Sequence, residues 1–324
     1  MADLCIWAVS DGRAGIENQV LGLAEAVARL HPATVELKRI AYRVPFARLP
    51  QRLNLDPLAA LARASDPITP PWPDVWIAAG RLTLPLSARV KRWSGGSTYV
   101  VQLQNPRWRP ELFDLVIPPE HDRLAEQGNV FPILGAPHRV TPERLAEAWP
   151  AFAPRIEPLP SPRTAVLVGG KSKAHDLPPS LAAAFAEELA ALPGSVLLTF
   201  SRRTPERARA VISERLAGRP GWIWDGEGPN PYFAFLHAAD AIVVTADSTN
   251  MAVEAAATGK PVLVRALKGR SARHARLHAA LQARHSTRPF QGRIESWTAP
   301  PLRETERAAI ELLRRLADRG ISAK

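Results

Sequence analysis

The sequence predicts an α/β fold with two parallel-sheet domains that face a cleft. Short apolar runs rich in Val and Ile alternate with amphipathic helices, which is the pattern of β-α-β units. The pattern fills the first half of the chain, stops at a stretch with four prolines at 153–163, and then begins again. Proline-rich segments of this kind form stiff linkers, so we expect the chain to divide there.

The first domain is predicted to cover residues 1–152. Short apolar runs are predicted as its strands, and the helix at 18–30 has one apolar face to pack on the sheet. A second helix is expected at 84–93, whereas the proline-rich segment 65–73 should be irregular. The predicted strands are 4–9, 34–40, 75–79, 98–103, 115–117 and 130–134.

The second domain is predicted to cover residues 164–324 and to repeat the same alternation. The last helix, 304–316, has one apolar face and is a candidate to pack back on the first domain. The predicted strands are 164–168, 195–200, 241–245 and 261–264, and the predicted helices between them are 180–192, 205–216, 232–238 and one that ends at Gly259.

Charge and composition restrict the kinds of partner. The formal net charge is +11 in 324 residues, which indicates an anionic partner such as a nucleotide, a phosphorylated acceptor or an acidic membrane surface. The alternative is a solvated arginine surface, because the arginines are spread along the whole chain. No recognised nucleic-acid-binding motif is present, so nucleic acid is not an expected partner.

The cellular location is predicted from what the sequence lacks. Cys5 is the single cysteine, which excludes an internal disulfide. No signal-peptide pattern opens the sequence, and no apolar run approaches the length of a membrane span. We therefore expect a cytoplasmic protein, with peripheral contact to the inner face of the membrane allowed.

The turn after the predicted strand 241–245 carries the strongest candidates for ligand-binding side chains. Asp247, Ser248 and Asn250 are good turn and N-cap residues, and Glu254 follows one helical turn later. A polar turn that leads from a parallel strand into a helix exposes N–H groups to an anion. The pattern therefore predicts a nucleotide site.

A glycine-rich loop follows the strand at 164–168. Gly169 and Gly170 allow the backbone to approach a phosphate, and Lys171 and Ser172 follow them. A Walker-type P-loop is excluded because Ala165 stands where its first glycine belongs. The loop is predicted to contact phosphate in another way.

The loop at 10–15, SDGRAG, is the candidate catalytic loop of the first domain. Asp11 has two interpretations: it is a general base that projects into the cleft, or it caps a turn. Gly12, Arg13 and Asn18 are candidates to contact an acceptor.

Two further loops complete the set. After the strand at 195–200, Ser201 and Arg202 are candidates for pyrophosphate contacts, whereas Arg203 is interpreted as surface charge. The segment 222–231 is either a nucleobase pocket or a surface loop. The histidines near 274–285 are interpreted as a solvated basic face, and no spacing of ligands indicates a metal site.

Four segments give the chain a resemblance to a known family. They are VSDGRAGIENQVLGLAEAV at 9–27, VGGKSKAH at 168–175, TFSRRTP at 199–205 and TADSTNMAVEAAATGKPV at 245–262. On these segments the chain resembles the mitochondrial fission (elongated-mitochondria) family of plants and its bacterial homologues. That family is similar to GT-B glycosyltransferases, which implies two Rossmann-like domains.

The resemblance also implies roles for individual residues. A bacterial lipid-linked N-acetylglucosaminyltransferase has a similar series of motifs, which corresponds here to the Gly169 loop, Ser248, Glu254 and Gly259-Lys260-Pro261. It implies that Glu254 accepts hydrogen bonds from ribose hydroxyls and that Ser248 holds the diphosphate. The catalytic histidine of that enzyme has no counterpart, and Asp11 is the nearest candidate.

Three functions follow as hypotheses. The first is a glycosyltransferase with a nucleotide-diphospho-sugar as substrate, no further cofactor, and an anionic or membrane-associated acceptor. The second is a non-catalytic GT-B-like scaffold that recruits a protein partner. The third is a nucleotide-sugar epimerase, which would act on the donor alone.

Overall fold

The computed structural model describes residues 3–50, 53–54, 56–125 and 128–321. The chain forms two compact units, which we call the first unit (Met1–Arg139 with Arg303–Lys324) and the second unit (Val140–Leu302). The proline-rich segment at 153–163 lies inside the second unit. None of the helices in the described ranges is long and apolar enough to cross a membrane.

The first unit contains a parallel sheet of five strands in the order β2-β1-β3-β4-β5. The predicted strand at 130–134 forms only isolated bridges, because Pro132 in its centre has no N–H to donate. The elements are β1 (Leu4–Ser10), α1 (Ala14–Leu30), β2 (Ala33–Arg39), β3 (Val75–Ala79), α2 (Leu84–Trp93), β4 (Tyr99–Leu103), β5 (Leu115–Ile117) and α10 (Glu304–Asp318).

Both faces of this sheet are covered by helices. Ile6 on β1 packs on the side of α1 and α10, whereas its neighbour Trp7 packs on the side of α2. The apolar face of α10 is buried there, with Leu312 at its centre. Burial on both faces explains why β1, β3, β4 and β5 are nearly continuous apolar runs, whereas the edge strand β2 alternates exposed polar residues with partly buried apolar ones.

The second unit contains a parallel sheet of six strands in the order β13-β11-β10-β6-β8-β9. A separate antiparallel bridge joins β7 to β12. The elements are α3 (Pro142–Ala148), α4 (Ala153–Ile156), β6 (Arg163–Val168), β7 (His175–Asp176), α5 (Pro179–Ala190), β8 (Ser195–Phe200), α6 (Glu206–Arg215), β9 (Gly221–Trp224), α7 (Tyr232–Ala238), β10 (Ala241–Thr245), α8 (Thr249–Ala257), β11 (Val262–Arg265), β12 (Lys268–Gly269), α9 (Ala272–Ala283) and β13 (Thr287–Pro289).

Each sheet has one point at which the strand order reverses. In the second unit the chain runs outward from β6 through β8 to β9 and returns on the other side of β6 at β10. In the first unit the reversal lies between β1 and β3. Ligands of open α/β sheets bind at the carboxyl ends of the strands at such points. The loops after β6 and β10 are therefore neighbours at the expected place.

Candidate functional site

Asp247 joins the loops at the carboxyl ends of β6, β8 and β10. Its carboxylate accepts hydrogen bonds from the Gly170 N–H at 2.8 Å and from the Thr245 hydroxyl at 2.8 Å. Arg203 Nη2 lies 3.0 Å from Asp247 Oδ2 and forms an ion pair with it. The Asp247 side chain is 0% exposed, whereas that of Arg203 is 47% exposed. One buried carboxylate thus holds the three loops together.

The two glycines after β6 leave no room for a side chain. A Cβ atom on Gly169 would overlap the Asp247 carboxylate, and one on Gly170 would overlap the backbone oxygen of Arg203. The Gly169 N–H donates to Thr245 Oγ1 at 2.7 Å. Gly169 allows the close approach of the backbone to the Asp247 carboxylate, and Gly170 allows its close approach to the Arg203 backbone. The predicted contact of this loop with phosphate stays a prediction.

Ser248 forms the N-cap of α8, where its hydroxyl accepts the Met251 N–H at 3.4 Å. Asn250 lies in the first turn of this helix and is half-buried. The N-terminus of a helix carries unpaired N–H groups and partial positive charge. This helix end adjoins the Gly169–Gly170 backbone and the Arg203 guanidinium, so the surroundings favour an anion.

Glu254 lies further along α8 and is 9% exposed. The Tyr232 hydroxyl at the start of α7 donates to Glu254 Oε2 at 2.5 Å. Burial raises the pKa of Glu254 to about 7, and the Tyr232 hydrogen bond partly offsets that effect. Burial also raises the pKa of Tyr232 well above its ordinary value, with the nearby Glu254 charge adding to the effect. Tyr232 was not predicted as a site residue.

The remaining predicted residues of these loops have mixed surroundings. Lys171 is exposed, and Ser172 Oγ accepts the His175 N–H at 3.0 Å, which closes its own turn. Ser201 accepts the Arg203 N–H at 3.1 Å, and Arg202 is exposed. Arg203, interpreted from sequence as surface charge, is the arginine that contacts Asp247. The sequence does not indicate which arginine makes this contact, because Arg202 and Arg203 both follow β8.

The interpretation of the α9 histidines as a solvated face is wrong for two of them. His278 Nε2 donates to the Ala246 carbonyl at 2.8 Å, directly before Asp247. The ring of His274 lies 4.8 Å from that of His175, measured between centroids. Within the described residues, no group of His, Cys, Asp and Glu has the geometry to hold a metal ion.

In the first unit, the Asp11 carboxylate is engaged by a residue of its own loop. Arg13 Nε donates to Asp11 Oδ1 at 3.0 Å, and the Arg13 backbone N–H donates to the same oxygen at 3.3 Å. The Asp11 side chain is 2% exposed, so it does not project into open space. Gly12 is in the left-handed region at φ +75°, and Asn18 is half-buried on α1. Of the two interpretations of Asp11, this geometry favours the turn cap.

Sequence reasoning also missed a polar contact at this end of the first sheet. Gln104 follows β4, has a positive φ of 68°, and donates through Nε2 to Gln19 Oε1 of α1 at 2.8 Å. The detectable signal was the position of a polar pair, Gln104-Asn105, directly after a buried strand.

Comparison with known families gives a clear match. A model of the mitochondrial fission ELM1 family matches residues 14–316. The mitochondrial fission protein ELM1 of Arabidopsis thaliana is 34% identical, over 78% of this chain and 66% of the plant protein. The chain thus spans just under two thirds of that relative. A protein of Rickettsia prowazekii is 26% identical, over 80% of this chain and 82% of its own.

The fold is similar to that of solved structures that contain UDP. The UDP-GlcNAc 2-epimerase of Methanocaldococcus jannaschii, in complex with UDP-GlcNAc and UDP, has a TM-score of 0.56 at 11% identity and covers 98% of this chain and 99% of its own. Arabidopsis thaliana UGT89C1 in complex with UDP has a TM-score of 0.51 at 12% identity, with coverages of 99% and 95%. At these identities the likeness concerns the fold, and it confirms the predicted GT-B-like architecture.

Proposed function

Because the chain belongs to the mitochondrial fission ELM1 family and has a GT-B-like fold, we propose that it binds a nucleotide-diphospho-sugar and transfers the sugar. The observation that carries the proposal is the convergence of three strand-end loops on Asp247 at the reversal point of the second sheet. The acceptor that we propose is anionic or membrane-associated, in keeping with the net charge of +11.

The diphosphate is proposed to lie against the N-terminus of α8 and the Gly169–Gly170 backbone. Arg203 supplies a half-exposed guanidinium that can turn towards phosphate oxygens. Asp247 is itself an anion, but three donors already surround it. We therefore assign it a positioning role: it holds Gly170 and Arg203 where an anion can reach them.

The ribose is proposed to bind Glu254. A carboxylate accepts hydrogen bonds from two hydroxyl groups at once, which suits the paired hydroxyls of a ribose. In the structure the Tyr232 hydroxyl already donates to Glu254 Oε2, and an ionised carboxylate has further acceptor sites, so we propose that the ribose hydroxyls bind beside Tyr232. With a pKa near 7, Glu254 can lose its proton on binding at neutral pH.

Sugar transfer needs a base, for which Asp11 is the candidate. It would take the proton of the acceptor hydroxyl, whose oxygen then forms a bond to the anomeric carbon as the nucleoside diphosphate leaves. Lys171 and Arg203 would stabilise the charge on that leaving group. Asp11 can act in this way only after Arg13 releases its carboxylate, since the two are paired in the structure.

That pairing favours a second candidate function, a scaffold that binds the nucleotide-sugar or a protein partner without catalysis. The plant relative is described as a mitochondrial fission protein, which is a role in organelle division. A scaffold needs a stable surface and no free base, and an Asp11 held by Arg13 satisfies that condition.

Calorimetric titration with UDP-, GDP-, CMP- and ADP-sugars tests the donor site. We expect one nucleotide class to bind, and Glu254→Ala to weaken that binding about tenfold to a hundredfold, the value of one or two hydrogen bonds to a carboxylate. Glu214→Ala, an exposed change on α6, is the matched control and should have no effect. Absence of binding by all four classes contradicts the proposal.

Product analysis then separates the candidate functions. A transferase forms a new glycoside when an anionic lipid acceptor is added, and an epimerase changes the donor without any acceptor. Binding of the nucleotide-sugar without formation of either product supports the scaffold function. Arg13→Gln sharpens this assay, because freeing Asp11 should raise transfer only if Asp11 is the base.

A further inference from the structure

Three histidines form a cluster beside Asp247. His175 lies on β7, and His274 and His278 lie on one face of α9, four residues apart. The rings of His175 and His274 are 4.8 Å apart between centroids, and His278 is anchored to the Ala246 carbonyl. Two separate elements therefore bring imidazoles to the turn that follows β10.

Each of these rings has a buried nitrogen atom without a hydrogen bond. Among the described residues, none provides a partner for the Nδ1 atoms of His175, His274 and His278. His175 is only 8% exposed, so solvent does not replace the missing partner. Because buried polar atoms are almost always paired, three such atoms in one cluster indicate that a ligand supplies the partners.

The state of the rings shows what kind of ligand fits. The Ala246 carbonyl can only accept, so His278 Nε2 carries the proton and its Nδ1 is bare in the neutral ring. Burial, followed by the neighbouring His175, lowers the pKa of His274 to about 4. Burial also lowers the pKa of His278. Arg273 on α9 acts in the same direction, whereas Asp247 opposes it.

A bound anion would counteract the lowering of the pKa values of His274 and His278. Asp247 is the anion that faces the cluster, and its oxygens are already occupied by Gly170, Thr245 and Arg203. A bound anion would stabilise imidazolium, whose Nδ1–H then donates to an oxygen of the ligand. A phosphoryl group has several acceptor oxygens and can meet more than one such donor. A metal ion does not fit, since these ligands lack the geometry within the described residues.

We infer that the cluster of His175, His274 and His278 binds a phosphoryl group, which enters together with protons that His274 and His278 take up. The inference rests on the proposed binding of a nucleotide-sugar, and it adds that this binding is linked to the uptake of protons. Free phosphate or pyrophosphate offers the same chemistry, and the experiment distinguishes these sources. The protons come from solvent, and no covalent bond changes.

Calorimetry in two buffers of different ionisation enthalpy measures the protons taken up on binding. With the whole protein in EDTA at pH 7.5, we expect about one proton to be taken up per molecule of pyrophosphate, and less than that per molecule of UDP, because binding of the ribose also releases a proton from Glu254. For one proton, affinity should rise by up to about tenfold for each unit by which the pH is lowered. Uridine, which has no phosphoryl group, should show neither effect.

His274→Gln removes one titrating ring and should reduce the proton uptake by at least half. His285→Asn is the matched control, because His285 is exposed at the end of α9 with φ +56°, a conformation that Asn tolerates. If His274→Gln does not fold, NMR of the imidazoles in the unaltered protein replaces it. Their signals should move to the protonated positions when pyrophosphate is added.

The outcomes separate the inference from the proposed function. UDP binding without proton uptake, and unchanged in His274→Gln, overturns the histidine site but leaves the nucleotide site. Pyrophosphate binding with proton uptake, and no binding of any nucleotide-sugar, supports the histidine site and contradicts the nucleotide-sugar proposal. Absence of binding by UDP and pyrophosphate overturns both.

Discussion

Each unit has a polar turn after a buried strand, and the aspartates of the two turns form hydrogen bonds with different parts of the chain. The β1 turn (residues 10–15) and the β10 turn (residues 246–250) both follow a buried parallel strand at a reversal of strand order. Asp11 in the β1 turn pairs with Arg13, two residues away. Asp247 in the β10 turn bonds to Gly170 and Arg203, which are 77 and 44 residues away.

Burial alone does not distinguish these two carboxylates. Their side chains are 2% and 0% exposed, respectively. The difference lies in what each one holds: Asp11 shapes its own loop, whereas Asp247 fixes the relative positions of separate loops. A binding site needs the second kind of contact, because its donors come from different parts of the chain. We therefore expect the two turns to respond differently to the same substitution.

The largest contrast should come from removing the two carboxylates. Asp247→Ala leaves the Gly170 N–H and the Thr245 hydroxyl without their acceptor, and should lower the free energy of unfolding by about 3 kcal/mol. Asp11→Ala breaks a local pair with the largely exposed Arg13, and should cost less than about 1 kcal/mol. Urea denaturation measures both. Equal losses would contradict the distinction between the two turns.

The Asp247 contacts also show how far the sequence could predict this site. Apolar runs predicted the parallel strands, and Gly169, Gly170 and Asp247 were recognised because a polar turn after a buried strand is a local pattern. Arg203 and Tyr232 were not recognised. The partner of Arg203 is 44 residues away, and that contact exists because β10 and β8 both lie next to β6. The partner of Tyr232 is 22 residues away, and that contact joins α7 to α8.

Weak local patterns explain the errors in the fold. The edge strands β9 and β13 have only four and three residues, which is too short for either to show a clear periodic pattern. The run at 130–134 was apolar enough to predict a strand, but Pro132 prevents regular pairing. Strands with a run of five or more periodic or apolar residues are thus predictable, whereas the short edge strands β9 and β13 are not.

The comparison extends into the helices that follow the turns. Glu17 on α1 accepts from the Arg39 guanidinium at 2.8 Å, whereas Glu254 on α8 has the neutral hydroxyl of Tyr232 as its partner. The folded protein keeps the Glu254 proton up to a pKa of about 7, above the ordinary 4.5. The unfolded chain releases that proton earlier, so stability should fall as the pH rises from 4.5 to beyond 7.

Glu254→Gln tests this pH dependence, because glutamine does not titrate and its side-chain oxygen can still accept from Tyr232. The difference in free energy of unfolding between the unaltered protein and Glu254→Gln should change by up to about 3 kcal/mol between pH 5 and pH 8. Denaturation curves at four pH values measure it. A difference that is independent of pH would show that Glu254 is ionised throughout.

Glycine substitutions give the smallest and most specific contrast. Gly169→Ala places a Cβ atom against the Asp247 carboxylate and should cost about 2 kcal/mol. Gly12→Ala meets no atom within 4 Å, and its φ of +75° should cost about 1 kcal/mol.

Each glycine substitution is then combined with removal of its neighbouring carboxylate, by Asp247→Ala or Asp11→Ala. Because the Gly169 clash is with Asp247 itself, Gly169→Ala should cost less than half as much in the Asp247→Ala background. Gly12→Ala should cost the same with or without Asp11, since its penalty lies in the backbone. Additive losses at both positions would mean that Asp247 organises no more than its own turn.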